Sequence, residues 1–539
     1  MITEESEEDL LERAKAEEKA YNWIGAVKLY ENAAKSYFNK NMIRKAAETY
    51  KKLGYAYEEA AHTVNTAGRF IEFRNSAANA FKEAMNLFIT MRDKPEELEC
   101  EALALYINGT ITKSNVESKR IFSDSYELMM NANELYSKKN DQESILRILS
   151  YAALTLWCLC NCCIDLKEYY QYSQKCTELA KKCWNLSKKA NNVRFQAESL
   201  LTGYNSLIGE YFGKNIQKNK YLEKNLWETL SRCEESLIKI KDCDDFKALG
   251  KVYYVTGLCC FLVGFHLITD VNEQEKYFNK ALELLERAVI FSKKSKNKHM
   301  IIDSLFYVNY VALNARKIEF LQRRISDDIK DMTKSGEIYA RQGYYSIAHA
   351  FSNLLPSMYY TSIAQMSFFK PAQRTFYAAK GIEYAEIALN KWSSFNPSLP
   401  YITWPLMFLT FSYLTLTTLT PEKNKRDQYV QQMLQFANQT SNISEKFEEG
   451  LAKSAGYLCL YGAYKTLAEI TEKQEEKIKM LSAAADVQKK YIPHALESRT
   501  GIIGAKMRLG LLYEELSIVT GKINPLMEAK EVFFEDSSE

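Results

Sequence analysis

Helix breakers are scarce in this sequence. Nine prolines and 20 glycines in 539 residues are both well below ordinary usage. Pro95 and Pro356 bracket 260 residues that contain no proline. Proline removes a backbone donor and clashes with the preceding turn, so its absence over that span favours helix throughout. An excess of charge of one sign is lacking too. The net charge of +3 is close to neutral for this length, and no nucleic-acid partner is expected from it. The N-terminus lacks the basic, then apolar, then small-residue order of a secretory leader; it is acidic instead, with Glu4, Glu5, Glu7, Glu8 and Asp9. Those acids suit the positive end of a first helix, with Ser6 and Asp9 as a capping box. The expectation is a cytoplasmic chain whose 12 cysteines are reduced.

Motifs for common chemistry are lacking as well. There is no Gly-x4-Gly-Lys-Ser/Thr phosphate loop, no Gly-x-Gly-x2-Gly fingerprint and no His-Glu-x2-His zinc helix. The histidines, His62, His266, His299, His349 and His494, are far apart in sequence. Gly501-Ile502-Ile503-Gly504 matches a KH-domain loop by letters only, since that fold needs strands around it. Paired acids are those of any charged helical surface. No catalytic residue, cofactor or metal is expected, and the chain is read as a non-enzyme.

What is present begins with Leu156-Trp-Cys-Leu-Cys-Asn-Cys-Cys-Ile164. At about 100° per residue, Cys158 and Cys162 share a helix face while Cys160 and Cys163 point away from it. One helix cannot gather all four sulfurs around a tetrahedral ion. The nearest further cysteines, Cys176 and Cys183, are not a second Cys-x2-Cys pair. The reading is buried structural thiols in close helix packing.

Two phrases recur. Ala-x3-aromatic-x2-small or aliphatic occurs at Ala26, Tyr30 and Ala33; at Ala46, Tyr50 and Leu53; and at Ala77, Phe81 and Ala84, with an aliphatic version at Ala281, Leu285 and Ala288. Each set lies on one helical stripe. The second phrase is Tyr50-x2-Leu53-Gly54-x2-Tyr57, repeated as Phe246-x2-Leu249-Gly250-x2-Tyr253 and, without the leading aromatic, as Leu509-Gly510-x2-Tyr513. It matches the first-helix signature of tetratricopeptide repeats, and the chain resembles that superfamily. Residues 10 to 90 are most similar to SNAP-type adaptors, through Trp23-Ile-Gly-Ala26-Val-Lys-Leu-Tyr30 and Asn41-Met-Ile-Arg-Lys-Ala46-Ala-Glu-Thr-Tyr50. The chain departs from the SNAP pattern in its length and in its ending, Phe533-Phe-Glu-Asp-Ser-Ser-Glu539. The resemblance implies an all-α fold of TPR-like helical hairpins stacked into a right-handed superhelix, an α-solenoid, with about two dozen helices. In such repeats glycine admits the partner helix and aromatics plug neighbouring helices together. Peripheral membrane contact through a SNAP-like partner is a further implication.

The best punctuation is Ser393-Ser-Phe-Asn-Pro397-Ser-Leu-Pro400-Tyr-Ile-Thr-Trp-Pro405. It divides the chain into a repeat array over 1–391, a proline-containing connection over 392–405 and C-terminal repeats over 406–539. Gly213 to Asn225, rich in Asn and Lys, reads as an exposed loop or helix end. The basic run Lys293 to Lys298 reads as a solvated turn at a helix C-terminus.

Residues 342–369 and 392–421 contain no Asp, Glu, Lys or Arg, and Val252 to Ile268 is a shorter run. Their length raises a membrane span. Hydroxyls, amides, Pro356 and Pro405 argue against one, and no transmembrane span is expected. Two readings remain for the uncharged bands: helices covered on both sides, or a groove on the concave face that binds a peptide. For the groove, His349, Asn353 and Tyr360 share a face, and Tyr345 and Gln365 join them as candidate contacts. The function expected is a scaffold or adaptor that presents a curved surface to a protein or peptide. The alternative is a regulatory module whose superhelix changes shape when a ligand or peptide enters the groove.

Overall fold

The computed structural model describes residues 6–214, 219–340, 343–447, 450–495, 502 and 504–534. Among these residues there is no strand, and 22 α-helices follow one another. The first eight are α1 (Glu7–Lys19), α2 (Trp23–Asn39), α3 (Ile43–Ala61), α4 (Ala67–Thr90), α5 (Lys94–Ile111), α6 (Asn115–Lys139), α7 (Gln142–Cys162) and α8 (Leu166–Lys189). Then come α9 (Val193–Gly213), α10 (Lys220–Ile240), α11 (Phe246–His266), α12 (Val271–Lys294), α13 (Lys298–Asn314) and α14 (Ile318–Gly336). A 3-10 turn (Glu337–Tyr339) leads to α15 (Ser346–Ala364), α16 (Pro371–Phe395), a second 3-10 turn (Pro400–Ile402) and α17 (Thr403–Leu419). The chain continues with α18 (Lys423–Ser444), α19 (Gly450–Ile470), α20 (Gln474–Tyr491), α21 (Gly504–Thr520) and α22 (Asn524–Phe534).

Each helix packs on its chain neighbour, and odd-numbered helices from α5 to α19 also pack on the next odd-numbered one. The odd helices therefore form an inner layer and the even ones an outer layer. Sequence explains the division. Helix α11 is apolar nearly all round and is buried from Ala248 to Gly264, as a helix with neighbours on every side must be. Helix α12 buries a single stripe, including Phe278, Ala281, Leu285, Ala288 and Ser292, and turns its charges outward. The result is an α-solenoid of antiparallel helical hairpins. Ser6 caps α1 reciprocally with Asp9, as the sequence predicts.

The recurring phrases fall on these layers. Tyr50, Leu53, Gly54 and Tyr57 lie on α3; Phe246, Leu249, Gly250 and Tyr253 on α11; Leu509, Gly510 and Tyr513 on α21. All three are inner helices. Ala26, Tyr30 and Ala33 belong to α2, an outer one, where they are buried. Phe246 and Tyr253 stack on Phe291 of α12 with ring centroids 6.0 and 5.4 Å apart.

Glycine is scarce because the helix-ending left-handed position is filled by other residues. Asn41, Asn140, Asn191, Arg92, Lys296 and Arg316 all have φ between 52° and 58°, in the conformation glycine usually supplies.

Contacts at long sequence separation recur at one interval. The Tyr21 hydroxyl donates to Asp245, 224 residues on, at 3.4 Å. The Lys298 backbone N–H donates to the His62 carbonyl at 3.1 Å. The Asn396 side-chain amide donates to the carbonyls of Asn161 and Cys163 at 2.8 and 2.9 Å. These pair the ends of α1 with α11, α3 with α13, and α7 with the segment before α17; α9 likewise packs on α19. Ten helices, five hairpins, thus make one superhelical turn, and successive turns touch directly. The basic run ending in Lys298 is part of this junction rather than a turn facing only water.

The uncharged bands meet each other. Thr361 and Ser412 share a hydrogen bond of 2.8 Å, and both hydroxyls lie against Gly381, where a Cβ would come within 2.6 and 2.8 Å of them. The hydroxyls are paired between close helices. Helix α15 runs through Pro356 without ending, and Pro405 sits in the first turn of α17, where no backbone donor is required. Within the proline-rich stretch, residues 392–395 still belong to α16, and Trp392 and Phe395 are buried. Asn225, in the segment expected as a loop, is buried in α10 and accepts from Lys181; residues 215–218 lie outside the described set, as do Gly501 and Ile503.

Among the described residues, three helices are long and apolar enough to cross a bilayer: Gln142–Cys162, Phe246–His266 and the stretch Pro400–Leu419. In this structure their apolar windows are 72, 94 and 67% buried against the chain's own helices.

Candidate functional site

A cleft of about 150 Å³ lies where the first superhelical turn meets the second. The last turn of α3 brings Glu58 and Glu59 to it, and the residue capping that helix, His62, joins them. The first two turns of α9, α11 and α13 bring three pairs with i, i+4 spacing: Arg194 and Glu198, Lys247 and Lys251, His299 and Asp303. Such a spacing puts both members of a pair on one helix face. Tyr151 and Trp157 of α7, with Tyr344 and Tyr345, complete the wall.

Most of these charges are paired. Lys247 is bonded to Glu59, and Lys251 to Glu198. Arg194 reaches Glu59 at 3.5 Å and its side chain is 50% exposed. Glu58 accepts from the Tyr151 hydroxyl at 2.8 Å, while the nearest Arg74 nitrogen is 3.5 Å away. Arg74 is fully buried, donates to the Thr110 hydroxyl at 2.6 Å and lies over the Tyr345 ring at 5.3 Å. The two nitrogens of His62 face the hydroxyls of Tyr339 and Tyr345 at 3.3 and 3.5 Å. His299 is 3.3 Å from Asp303.

Burial shapes the protonation of the site. It holds His62 well below the ordinary imidazole range, with the Arg74 charge adding to the effect, so this ring is neutral. Burial also lowers Lys251, with Glu198 opposing and Lys247 reinforcing. It raises Glu58, against the pull of Arg74. For Glu59 burial is outweighed by the charges of Lys247 and Arg194, which lower it.

Of the predicted contacts, Tyr345 lines this cleft. Asn353 is buried in α15, its amide donating to the carbonyl of half-buried His349 at 2.8 Å. Tyr360 and Gln365 stand elsewhere, on an outer edge; Tyr360 is half-buried and Gln365 exposed. That edge is rich in aromatic rings. Phe368 and Phe376 are 69% and 57% exposed. Phe369 touches Phe368 at 4.4 Å and Tyr377 at 5.5 Å between ring centroids, and Tyr360 stacks on Tyr377 and Tyr384 at 6.2 and 6.0 Å. The five predicted contacts are therefore divided among three places: the cleft, the interior of α15 and the aromatic edge.

The charged pairs of the cleft were not singled out from the sequence. Their signal was recurrence: they begin at residues 194, 247 and 299, spaced 53 and then 52 residues, each in the first turn of an inner helix.

The cysteine cluster is spread over separate surroundings. Cys158 and Cys162 join the main core, whereas Cys160 and Cys163 pack with Tyr169. Burial pushes the Cys163 and Cys176 thiols up to about 12. Among the described residues no three or more His, Cys, Asp and Glu side chains are grouped to hold a metal ion.

These features define a tandem helical-hairpin repeat protein, an α-solenoid. No protein-family model matches the chain, and no curated protein matches it. Three solved structures align along most of it. One is a circular tandem repeat protein with novel repeat topology and enhanced subunit contact surfaces, 12% identical, covering 99% of both chains at a TM-score of 0.18. Another is Scc4 in complex with Scc2n and Ctf19n, 10% identical, covering 92% of this chain and 98% of that one at 0.22. The third is the APC/C hetero-tetramer Cut9-Hcn1, 12% identical, covering 90% and 96% at 0.18. Identities and scores this low leave the fold to be read from the helices themselves.

Proposed function

We propose that this chain is a non-enzymatic scaffold that binds a protein or peptide partner, and that the aromatic edge of α15 and α16 is a principal contact. The observation that carries the reading is the exposure of Phe368 and Phe376 within a cluster that includes Phe369, Tyr377, Tyr360 and Tyr384. Exposed, contiguous aromatic groups are what interfaces bury, and aromatic anchors supply most of their binding energy. Gln365 at the same edge adds a polar contact. A SNAP-like adaptor, cytoplasmic and touching membranes through its partner, is a specific form of this function, supported by the likeness of residues 10 to 90.

The test compares the wild-type chain with a Phe368→Ser, Phe376→Ser double variant as baits in quantitative cross-linking. Both positions are exposed, so the variant keeps its unfolding midpoint. The expected outcome is a protein cross-linked at residues 360–384 of the wild type and lost from the variant. An identical cross-linked set for both baits would overturn the reading.

A second reading, a ligand-sensing regulatory module, is favoured by the position of the cleft. A ligand there would touch both superhelical turns and so change how they stack.

A further inference from the structure

The cleft has two electrical poles. On one side α3 ends, with Glu58 and Glu59 in its last turn, and a helix C-terminus carries partial negative charge. On the other side α9, α11 and α13 begin, and helix N-termini carry partial positive charge. Helices α9 and α11 bring Arg194, Lys247 and Lys251, against Glu198 of α9, which is paired with Lys251, and Asp303 of α13, which faces His299. The Glu59–Lys247 pair already spans the poles. Each pole also keeps one charge whose ion pair is long. Arg194 is 3.5 Å from Glu59 and half exposed at the mouth, so its guanidinium fork is open to a carboxylate. Glu58 is 3.5 Å from Arg74. Between the poles stand the rings of Tyr151, Trp157, Tyr344 and Tyr345.

Size narrows the occupant further. A cavity of about 150 Å³ accepts a molecule as large as benzene, about six heavy atoms. An extended peptide does not fit, because Tyr344 and Tyr345, both buried, already fill the space beside it.

We propose that this cleft binds a small zwitterion of the free α-amino-acid class, its carboxylate on Arg194 at the positive pole and its ammonium on Glu58 at the negative pole. The ring wall receives the part between and beside the charges. The proposal rests on the regulatory reading above for its consequence, since a ligand held by Glu58 of α3 and Arg194 of α9 in the first turn would also press on Tyr344 and Tyr345 of the second.

The test uses the full chain and a panel of free L-α-amino acids at millimolar concentration, each beside its N-acetyl and its amide derivative. Calorimetry reads binding, and hydrogen exchange reads the Lys298 amide, whose partner is the His62 carbonyl. At least one free amino acid should bind with a single site, and blocking either end should weaken it tenfold or more. Arg194→Met should abolish binding, and Arg194→Lys should restore part of it, which separates lost recognition from lost folding. No binding by any panel member, or binding indifferent to both blocked ends or to Arg194→Met, overturns the site. Binding with unchanged exchange at Lys298 keeps the site and overturns the regulatory reading alone.

Discussion

Phe81 of α4 lies across Gly54 of α3. A methyl group on Gly54 would stand 2.7 Å from a ring carbon of Phe81, closer than van der Waals contact allows. The same device joins other pairs: Gly109 lies under Phe122 and Gly257 under Leu285, at 2.6 and 2.7 Å. An inner helix supplies the bare backbone and an outer helix the plug. Gly54→Ala is expected to destabilise by about 1–3 kcal/mol, the usual cost of overpacking, despite alanine's better helix propensity. Gly68 is the control, with nothing within 4 Å of its Cβ position. Gly68→Ala should be neutral or stabilising by up to about 1 kcal/mol. Thermal melts of the two variants decide it; shifts of the same sign would sink the argument.

Glu99 ties four helices together. Its carboxylate accepts from Lys51 at 2.7 Å, from Arg147 at 2.6 and 3.0 Å, from Tyr136 at 2.6 Å and from Tyr55 at 3.1 Å, and it is fully buried. Burial alone would raise its pKa, but the charges of Lys51 and Arg147 outweigh burial and hold it low. Its ionised form therefore stabilises the fold above the ordinary glutamate value of about 4.3, and that stability is lost as pH falls toward the folded pKa. Glu99→Gln leaves two cations facing a neutral amide. The expected loss is about 3–5 kcal/mol, that of a broken buried pair. Denaturant unfolding at neutral pH measures it, and a loss below about 1 kcal/mol would contradict the buried-network account.

Local pattern made much of this fold legible. Scarce proline announced helices, and the Tyr50-to-Tyr57 phrase and its copies fell on inner helices. The alanine phrase holding Phe81 and the glycine of Gly54 were both visible, although their meeting was not. Helical geometry also separated Cys158 and Cys162 from Cys160 and Cys163. What local pattern could not carry was the ten-helix turn. It depends on the pitch of the stack and appears only as contacts more than 220 residues apart, such as Tyr21 with Asp245. The cleft is made by that closure, so its charged pairs looked like ordinary helix surface. Asn353, by contrast, looked like a groove contact because it is polar in an uncharged band. Its amide is spent on the His349 carbonyl in the turn before it, a bond that neither hydropathy nor charge reveals.

Asn396 fastens the second turn to the first. One side-chain amide serves two carbonyls, those of Asn161 and Cys163, which end α7. Asn396 is completely buried. Asn396→Leu keeps the number and branching of the side-chain heavy atoms but leaves both carbonyls without this donor. Each buried polar group left unmatched costs about 1–3 kcal/mol. The loss should be local: faster hydrogen exchange at the end of α7 and the start of α17, with α21 and α22 unaffected, because repeats are coupled to their neighbours. Uniformly faster exchange along the chain would show that Asn396 supports the whole fold rather than this junction.

Buried imidazoles should make the chain sensitive to mild acid. Burial lowers His266 to about 3, where the ring faces the Tyr211 hydroxyl. His349 is lowered to about 4 by burial, with Lys391 adding to it. Unfolded, each takes up its proton near 6.5. The unfolded chain thus binds more protons than the folded one between 6.5 and these lower values. Stability is then full above about pH 6.5 and falls as pH drops below it. The slope is about 1.4 kcal/mol per pH unit for each histidine, or about 4 for these two and the buried His62 of the cleft together. Carboxylates cannot produce it at pH 6: those lowered on folding, such as Glu59 and Glu99, are ionised in both states there, and one raised by burial, such as Glu58, acts with the opposite sign. Denaturant midpoints at pH 7.5, 6.5 and 5.5 should be alike for the first two and clearly lower for the third. His266→Gln should lower the midpoint at pH 7.5 yet remove about a third of its drop between 6.5 and 5.5, a change of slope that a purely structural role would not give.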